Sequence, residues 1–308
     1  IGLKCQQFHL QDGKRGIYTN NTNQDAIIED IDTSRIEKEL ENGKIVIIAG
    51  FQGINPSMDI TTLGRGGSDT TAVAVAAKLK AAKCYIFSDV DGVYTTDPRQ
   101  TKVARKINTL SYTEMLDIAD EGAKVLHNRC VEVGEKFNVP IIAKSTFNNN
   151  DGTIINDKIE GGYVKNIVKN DNILYAHITS KDYSLEKFNT IYNSFIEAEL
   201  NVKNLVNSSE NNMLDISFTV PKAKFNKLAS LLENKFPELK SSYLEITRIS
   251  IIGNGIMSNN SVLNKTMNVI EKNKLDIISM EINETKIAIM FKTIIPNEIL
   301  EELHKILI

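Results

Sequence analysis

GFQGINPSMDITTLGRGGSDTTAVAVAAKLKAAK, residues 50–83, is the stretch from which the rest of the chain is read. Just before it, the apolar run Ile45-Val46-Ile47-Ile48-Ala49 lies between Gly43 and Gly50 and has the length of a strand buried on both faces. The glycine-rich loop Leu63-Gly64-Arg65-Gly66-Gly67-Ser68-Asp69 follows and opens onto a helix-forming run, residues 70–79, with alanine and valine on nearly every side. Such a helix is expected to be buried against a sheet. Strand, glycine loop and helix in this order gather free backbone N–H groups and the positive end of a helix dipole at one point, which suits an anion. Arg65 adds a guanidinium there and Asp69 a carboxyl group, so the chemistry indicated is phosphoryl transfer to a small anionic acceptor. A plainer reading makes the loop a tight turn with Ser68 as helix cap, worth about 1 kcal/mol, and Asp69 favourable in the first turn by about 0.3–1 kcal/mol. That reading leaves Arg65 without a task. The loop is neither a Walker A sequence, since it lacks the terminal Gly-Lys-Ser/Thr, nor a G-x-G-x-x-G fingerprint.

Outward from this stretch, Cys84-Tyr85-Ile86-Phe87 reads as a second strand, and the polar loop SDVDGVYTTDPR (88–99) leaves its carboxyl end, where open α/β sheets bind ligands. The D-x-D-G-V within it also resembles the nucleophile loop of haloacid-dehalogenase-type phosphatases. That alternative would place the loop near the chain start and needs a later strand ending in paired acids, which is not found. Ser111-Tyr112-Thr113-Glu114 has the form of a capping box and starts a helix to about Ala119, broken by Gly122. Residues 123–126 are expected to begin another helix, with spare N–H groups beside Lys124. Residues 139–143 supply the next strand. Upstream, residues 20–23 form a polar turn and residues 36–40 a short surface helix closed by Asn42-Gly43. Alternating strands and helices predict a largely parallel sheet with helices on both faces.

A boundary is expected between about Phe147 and Asn172, where Asn148-Asn149-Asn150-Asp151-Gly152 and Gly161-Gly162 are turn-rich. Beyond it the order is strand (173–178), helix (Leu185, Phe188, Tyr192, Phe195), strand (202–207), strand (213–220), helix (Phe225, Leu228, Leu232) and strand (244–246). From Arg248 the order recurs: strand to Ile252, a Gly-Asn-Gly turn, helix (Leu263, Met267, Ile270), strands 277–282 and 286–291, and helix (Ile299, Leu303, Ile306). Two copies of a βαββαβ-like unit result, each too small to stand alone, so the copies are expected to pair.

The 308 residues predict two or three domains, and a net charge of −3 with both signs interleaved offers no field for nucleic acid. Three widely spaced cysteines without a C-x-x-C pair argue for a reducing compartment, with the cytoplasm as default, and against a zinc site. No apolar run approaches the roughly 20 residues of a membrane span. The four histidines show no ligand spacing. The chain starts at Ile1, which reads as a fragment or a processed chain.

Taken together, GFQG at 50–53, TTLGRGGSDTTA at 61–72, SDVDGVYTTDPR at 88–99, SYTEM at 111–115, GAKVLH at 122–127, STF at 145–147 and Gly152-Thr153 resemble the aspartate kinase family. The match runs in order over residues 45–153, and the double repeat resembles that family's pair of amino-acid-binding ACT modules. The resemblance implies an α/β amino-acid-kinase domain, a three-layer arrangement with helices on both faces of the sheet, over residues 1–160. Two α+β ferredoxin-like ACT modules would follow at 172–247 and 248–308. It implies transfer of the ATP γ-phosphate, with Mg²⁺, to the side-chain carboxylate of L-aspartate, on the route to lysine, threonine and methionine. Feedback by an amino-acid effector, lysine or threonine, and a homo-oligomer formed through the ACT modules are implied with it. By motif, Arg65 would clamp an aspartate carboxylate and Ser68 would hold the same substrate, while Asp69, kept ionised by the helix N-terminus, would orient the active-site lysine. Ser88 and Asp89 would contact the nucleotide, Tyr94 would lie against it, and Arg99, Lys124 and Val125 would complete its site, the two cations at its phosphates.

The sequence departs from the family pattern in three places, one being that the substrate-binding acidic residue of the family's early segment is not placed. The lysine-containing K-x-G-G-T/S strand-loop is not found, so the chain as written is expected to be a poor kinase or none. The position usually acidic in lysine-sensing members is Asn204, with Ser208-Ser209-Glu210 after it, which leaves the effector open. The alternative from another class is a non-catalytic amino-acid-sensing regulatory polypeptide.

Overall fold

The computed structural model describes residues 16–123, 125–158, 163–208, 213–258 and 260–308. The chain divides into two compact units, Ile1–Asn166 with Ile252–Gly255, and Ile167–Ile251 with Ile256–Ile308.

In the first unit, β1 (Ile17–Thr19) and β2 (Ile28–Ile31) lead into α1 (Ser34–Glu41), and β3 (Gln52–Ile54) and β4 (Ile60–Thr62) precede α2 (Gly67–Lys78). These strands make one sheet in the order β2-β1-β3-β4. β1 is parallel to β3 and antiparallel to β2, and a buried hydroxyl pair, Thr19 Oγ1 to Thr61 Oγ1 at 2.6 Å, ties β1 to β4. β5 (Cys84–Ser88), β6 (Thr109–Ser111), α3 (Tyr112–Asp120), α4 (Asn128–Phe137), β7 (Ile141–Ser145) and β8 (Thr153–Asn156) follow, with a second sheet in the order β5-β7-β8-β6. Its pairs β5–β7 and β6–β8 are parallel and β7–β8 is antiparallel, so the sheets are mixed where a largely parallel one was expected. The reason is that β7 and β8 follow one another through a short connection, residues 146–152, which returns the chain antiparallel. As expected, α2 is buried nearly all round, at Thr70, Thr71, Val73, Ala74, Val75 and Ala76.

Residues 45–49 are not the buried strand that their composition suggests. They have no strand partner among the described residues, and Ile45 and Ile47 are 72% and 51% exposed. Only alternate side chains find cover, Ile48 packing on Ile17, Ile31, Ala74 and Val75. An apolar run reports what it could bury and is silent on whether a neighbouring edge pairs with it.

The second unit contains β9 (Asn166–Ser180), α5 (Leu185–Glu197), β10 (Lys203–Ser208), β11 (Leu214–Pro221), α6 (Phe225–Lys235), β12 (Lys240–Ile252), α7 (Asn260–Lys272), β13 (Ile277–Ile282), β14 (Lys286–Phe291) and α8 (Asn297–Leu307). The repeat grammar holds element by element with one difference. The strands read separately at 244–246 and 248–252 are one strand, β12, and all six strands join a single sheet in the order β10-β11-β9-β12-β14-β13. No turn residue interrupts 240–252, so the backbone has no reason to leave the ladder between the two repeats. Period-2 alternation sends Leu214, Ile216, Phe218 and Val220 into a core with Ile178, Ile191, Phe195 and Leu228, while Asp215 and Ser217 face away. On the far side of the sheet order, buried Arg248 donates to Asn204 Oδ1 and, at 3.2 Å, to Glu281 Oε2, which also accepts from Asn204 Nδ2 at 3.3 Å. This polar knot joins side chains of the outermost strands, β10 and β13.

Candidate active site

The glycine loop adopts a backbone that other residues resist. Gly64 and Gly66 have φ of 71° and 72°, in the left-handed region that favours glycine. A Cβ at Gly64 would fall 1.5 Å from Asp25 Oδ1, and one at Gly66 would fall 2.4 Å from His127 Cβ. Gly66 is the residue before α2 and no side chain caps the helix, so the Ser68 cap of the plainer reading is not formed. The first-turn N–H groups of α2 are therefore left without a side-chain cap. Arg65 is exposed and has no hydrogen bond or ion pair among the described residues, and Ser68 is exposed beside it.

Asp69 is half-buried, and burial pushes its carboxyl group above the usual carboxylate range, with the nearby His127 and the Ser68 hydroxyl pulling it back. Desolvation thus outweighs the groups that favour the charge, a contribution to which the reading of Asp69 as an acid kept ionised by the helix end gave no weight. The Asp69 charge in turn helps burial to raise the thiols of Cys84 and Cys130 to about 11 and about 12, which places Asp69 near the start of β5 and the first turn of α4.

The start of α4 lies later than expected. Residues 125 and 126 belong to a bend, and His127, with φ −87° and ψ 140°, is the extended residue before the helix. An extended residue there delays the helix to Asn128. Val125 is partly exposed in this bend, and Lys124 lies outside the described residues. Two residues to which sequence reasoning gave no role hold the glycine loop from this side. His127 packs on Gly66, and Arg129 donates to the carbonyls of Leu63 at 2.5 Å and Ala26 at 2.7 Å. No local signal marks either residue, because their partners lie about 60 and more residues away in the chain.

A second grouping forms at the end of β5. Ser88 Oγ makes a turn with Val90, contacting its N and O at 3.3 Å. The arm that follows is pinned as a narrow antiparallel pair, Thr95 N to Arg105 O and Ile107 N to Val93 O, both 2.8 Å, with Val93 N donating to Thr153 Oγ1 at 2.8 Å. Tyr94 donates its hydroxyl to Asp91 Oδ1 at 2.7 Å, which lowers the Asp91 carboxyl together with a hydrogen bond from Asn150 and raises the Tyr94 phenol. Arg99 is 86% exposed in its side chain and grips Asp97 through Nε and Nη2, within electrostatic reach of Asp89. Arg65, Ser68 and Asp69 thus lie at the start of α2, and Ser88, Asp89, Tyr94 and Arg99 lie along the segment that leaves β5, each of Ser88, Tyr94 and Arg99 bonded to a neighbour of that segment. Among the described residues no three His, Cys, Asp or Glu side chains gather as a metal site.

Comparison with known proteins gives a consistent picture. A model of the amino acid kinase family matches residues 1–145. The aspartokinase of Bacillus sp. (strain MGA3) is 36% identical over 298 residues, covering 94% of this chain and 72% of the relative. Among solved structures, E. coli aspartokinase III in complex with lysine and aspartate (T-state) superposes with a TM-score of 0.77 at 23% identity, over 95% of this chain and 68% of the other. The same enzyme in complex with aspartate and ADP (R-state) gives 0.73 at 22% identity with the same coverage. The two superpositions show a shared fold.

Proposed function

The chain belongs to the aspartokinase family, and we propose that it takes ATP as its nucleotide and divides the work of an aspartate kinase among its residues as follows. Arg65 clamps a carboxylate of L-aspartate in a bidentate fork, which planar guanidinium geometry suits. Ser68 and the first-turn amides of α2 hold the same substrate. Asp69 is the acid that orients a cation toward the transferring group, and His127 and Arg129 keep its loop in place. Ser88, Asp89 and Tyr94 contact the nucleotide, with Arg99, Lys124 and Val125 completing its site. Bound ATP supplies the phosphoryl group, and Mg²⁺ held on its phosphates offsets their charge.

The observation that carries this reading is Arg65, a guanidinium without a partner among the described residues, placed beside a half-buried acid at an uncapped helix N-terminus. The acceptor is already an ionised carboxylate, so the residues need to position and stabilise charge and no general base is required. The repeated half, residues 172–247 and 248–308 after a kinase domain over 1–160, acts as two ACT modules that bind an amino-acid effector, lysine or threonine, and assemble a homo-oligomer. The lysine complex of the E. coli neighbour supports the effector class. Among the described residues no helix is long and apolar enough to cross a membrane, and Cys84 and Cys130 are free thiols, in keeping with the cytoplasm.

Trapping the acyl phosphate with hydroxylamine tests the assignment. With ATP, Mg²⁺ and L-aspartate the chain as written is expected to yield little or no aspartyl hydroxamate, and a form supplied with the K-x-G-G-T/S strand-loop to yield it, with Arg65→Gln in that form yielding none. If that form binds lysine or threonine, read as a rise in Tm, yet gives no hydroxamate, the protein is a sensing polypeptide instead.

A further inference from the structure

The bend between β1 and β2 is fastened to the chain that enters the glycine loop. Thr62 N donates to Asn23 O at 3.1 Å, Ala26 N donates to Thr62 O at 2.9 Å, and Arg129 holds the carbonyls of Ala26 and Leu63 together. Ala26 and Leu63 are fully buried. Asp25, within this fastened stretch, is exposed, and its φ of 55° lies in the left-handed region, which aspartate and asparagine tolerate better than most side chains. Its carboxylate lies directly against the loop: Oδ1 stands 1.5 Å from where a Cβ at Gly64 would be, so only glycine leaves it room.

That carboxylate makes no hydrogen bond or ion pair among the described residues, so the bend is held without it. Arg65, the residue after Gly64, is likewise without a partner there. An acid and a guanidinium therefore meet at one glycine without neutralising each other. An α-amino acid presents the complementary pair, a carboxylate and an ammonium on a single carbon, and binding both calls for a cation and an anion close together. The other groups at this loop are the Ser68 hydroxyl, the uncapped amides of α2 and the half-buried Asp69, none of which is an exposed anion.

We propose that Asp25 is the residue that selects the amino group of the acceptor, taking the α-ammonium while Arg65 takes the α-carboxylate and leaves the side-chain carboxylate for the phosphoryl group. This role rests on the reading of Arg65 as the substrate clamp. The pair admits a dicarboxylate that carries an amine and disfavours one that lacks it, because without the ammonium the second carboxylate of the ligand approaches a protein carboxylate with nothing between them. Arg129 is the positioning residue behind the pair, since it fixes both Ala26, next to Asp25, and Leu63, next to Gly64.

Calorimetric titration of the full chain with L-aspartate and with succinate, the same dicarboxylate without the amine, tests the assignment. The unsubstituted protein is expected to bind L-aspartate about tenfold more tightly than succinate, the worth of one charged hydrogen bond. Asp25→Asn keeps the size of the side chain and its tolerance of the left-handed backbone, so its Tm is expected to equal that of the unsubstituted protein. Its affinity for L-aspartate is expected to fall about tenfold with succinate unchanged, which erases the preference, whereas Arg65→Gln is expected to weaken both ligands. An unsubstituted protein with no preference, an Asp25→Asn variant that weakens both ligands alike or neither, or a fall in its Tm overturns the role of Asp25 and leaves Arg65 in place. If neither ligand binds the unsubstituted protein, or Arg65→Gln binds both as before, the clamp and the role of Asp25 fall together.

Discussion

Asp69 carries two demands that pull against each other. Burial raises its carboxyl group, while His127 and the Ser68 hydroxyl favour the charge. With the folded value above the unfolded one, the folded state binds the proton more tightly. Ionising the group therefore costs stability, progressively as pH rises from the unfolded value through the folded one, and the cost is complete above both. Asp69→Asn is expected to raise Tm at pH 7, with the advantage gone at pH 3, and to lower kcat by about 10²–10³-fold if the acid orients charge at the transferring group. Calorimetry at the two pH values together with the hydroxamate assay checks both halves. Arg65 makes a separate demand, for geometry. Arg65→Lys keeps the charge and loses the fork, so KM for aspartate is expected to rise about tenfold, the equivalent of one charged hydrogen bond of about 1.5 kcal/mol, with kcat less affected. An unchanged KM would take Arg65 out of substrate binding.

The glycine loop works as an element because three segments converge on it. Asp25 crowds Gly64, His127 crowds Gly66, and Arg129 ties down Leu63 and Ala26. Gly66→Ala would introduce a side chain where φ is 72° and His127 already stands, so a loss of at least about 1 kcal/mol is expected. Urea denaturation reads that loss, and a parallel rise in KM for aspartate would show that loop shape sets substrate affinity. In the sequence the loop was visible through its glycines and Arg65, and its place before a buried helix was visible through the alanine and valine of α2. The supports were not visible. His127 is one of four histidines without ligand spacing, and Arg129 looks like any surface arginine on a helix. The α4 start was misplaced for a related reason: helix propensity over 123–126 does not reveal that His127 is held extended.

At the scale of the molecule, the repeated half is one six-stranded sheet whose outer strands are knotted together by Arg248, Asn204 and Glu281. Arg248→Ala leaves Asn204 and Glu281 without their buried donor, and a loss of about 1–3 kcal/mol is expected in the unfolding of this unit, read from the denaturant midpoint. By itself the sequence determined the order of the elements, the doubled βαββαβ grammar, the Ser111–Glu114 capping box and the glycine-rich loop at residues 64–69 that leads into a helix. These rest on neighbours two to four residues apart, whose periodicity and turn chemistry act on the chain locally. Only the tertiary structure decided that residues 45–49 have no strand partner among the described residues and that β12 is a single strand within one six-stranded sheet. It also decided that desolvation governs Asp69 and that Asn254 closes a cap 143 residues away at Ser111. Strand pairing and loss of water depend on which distant surfaces meet, and a hydrophobic pattern names a face without naming what covers it.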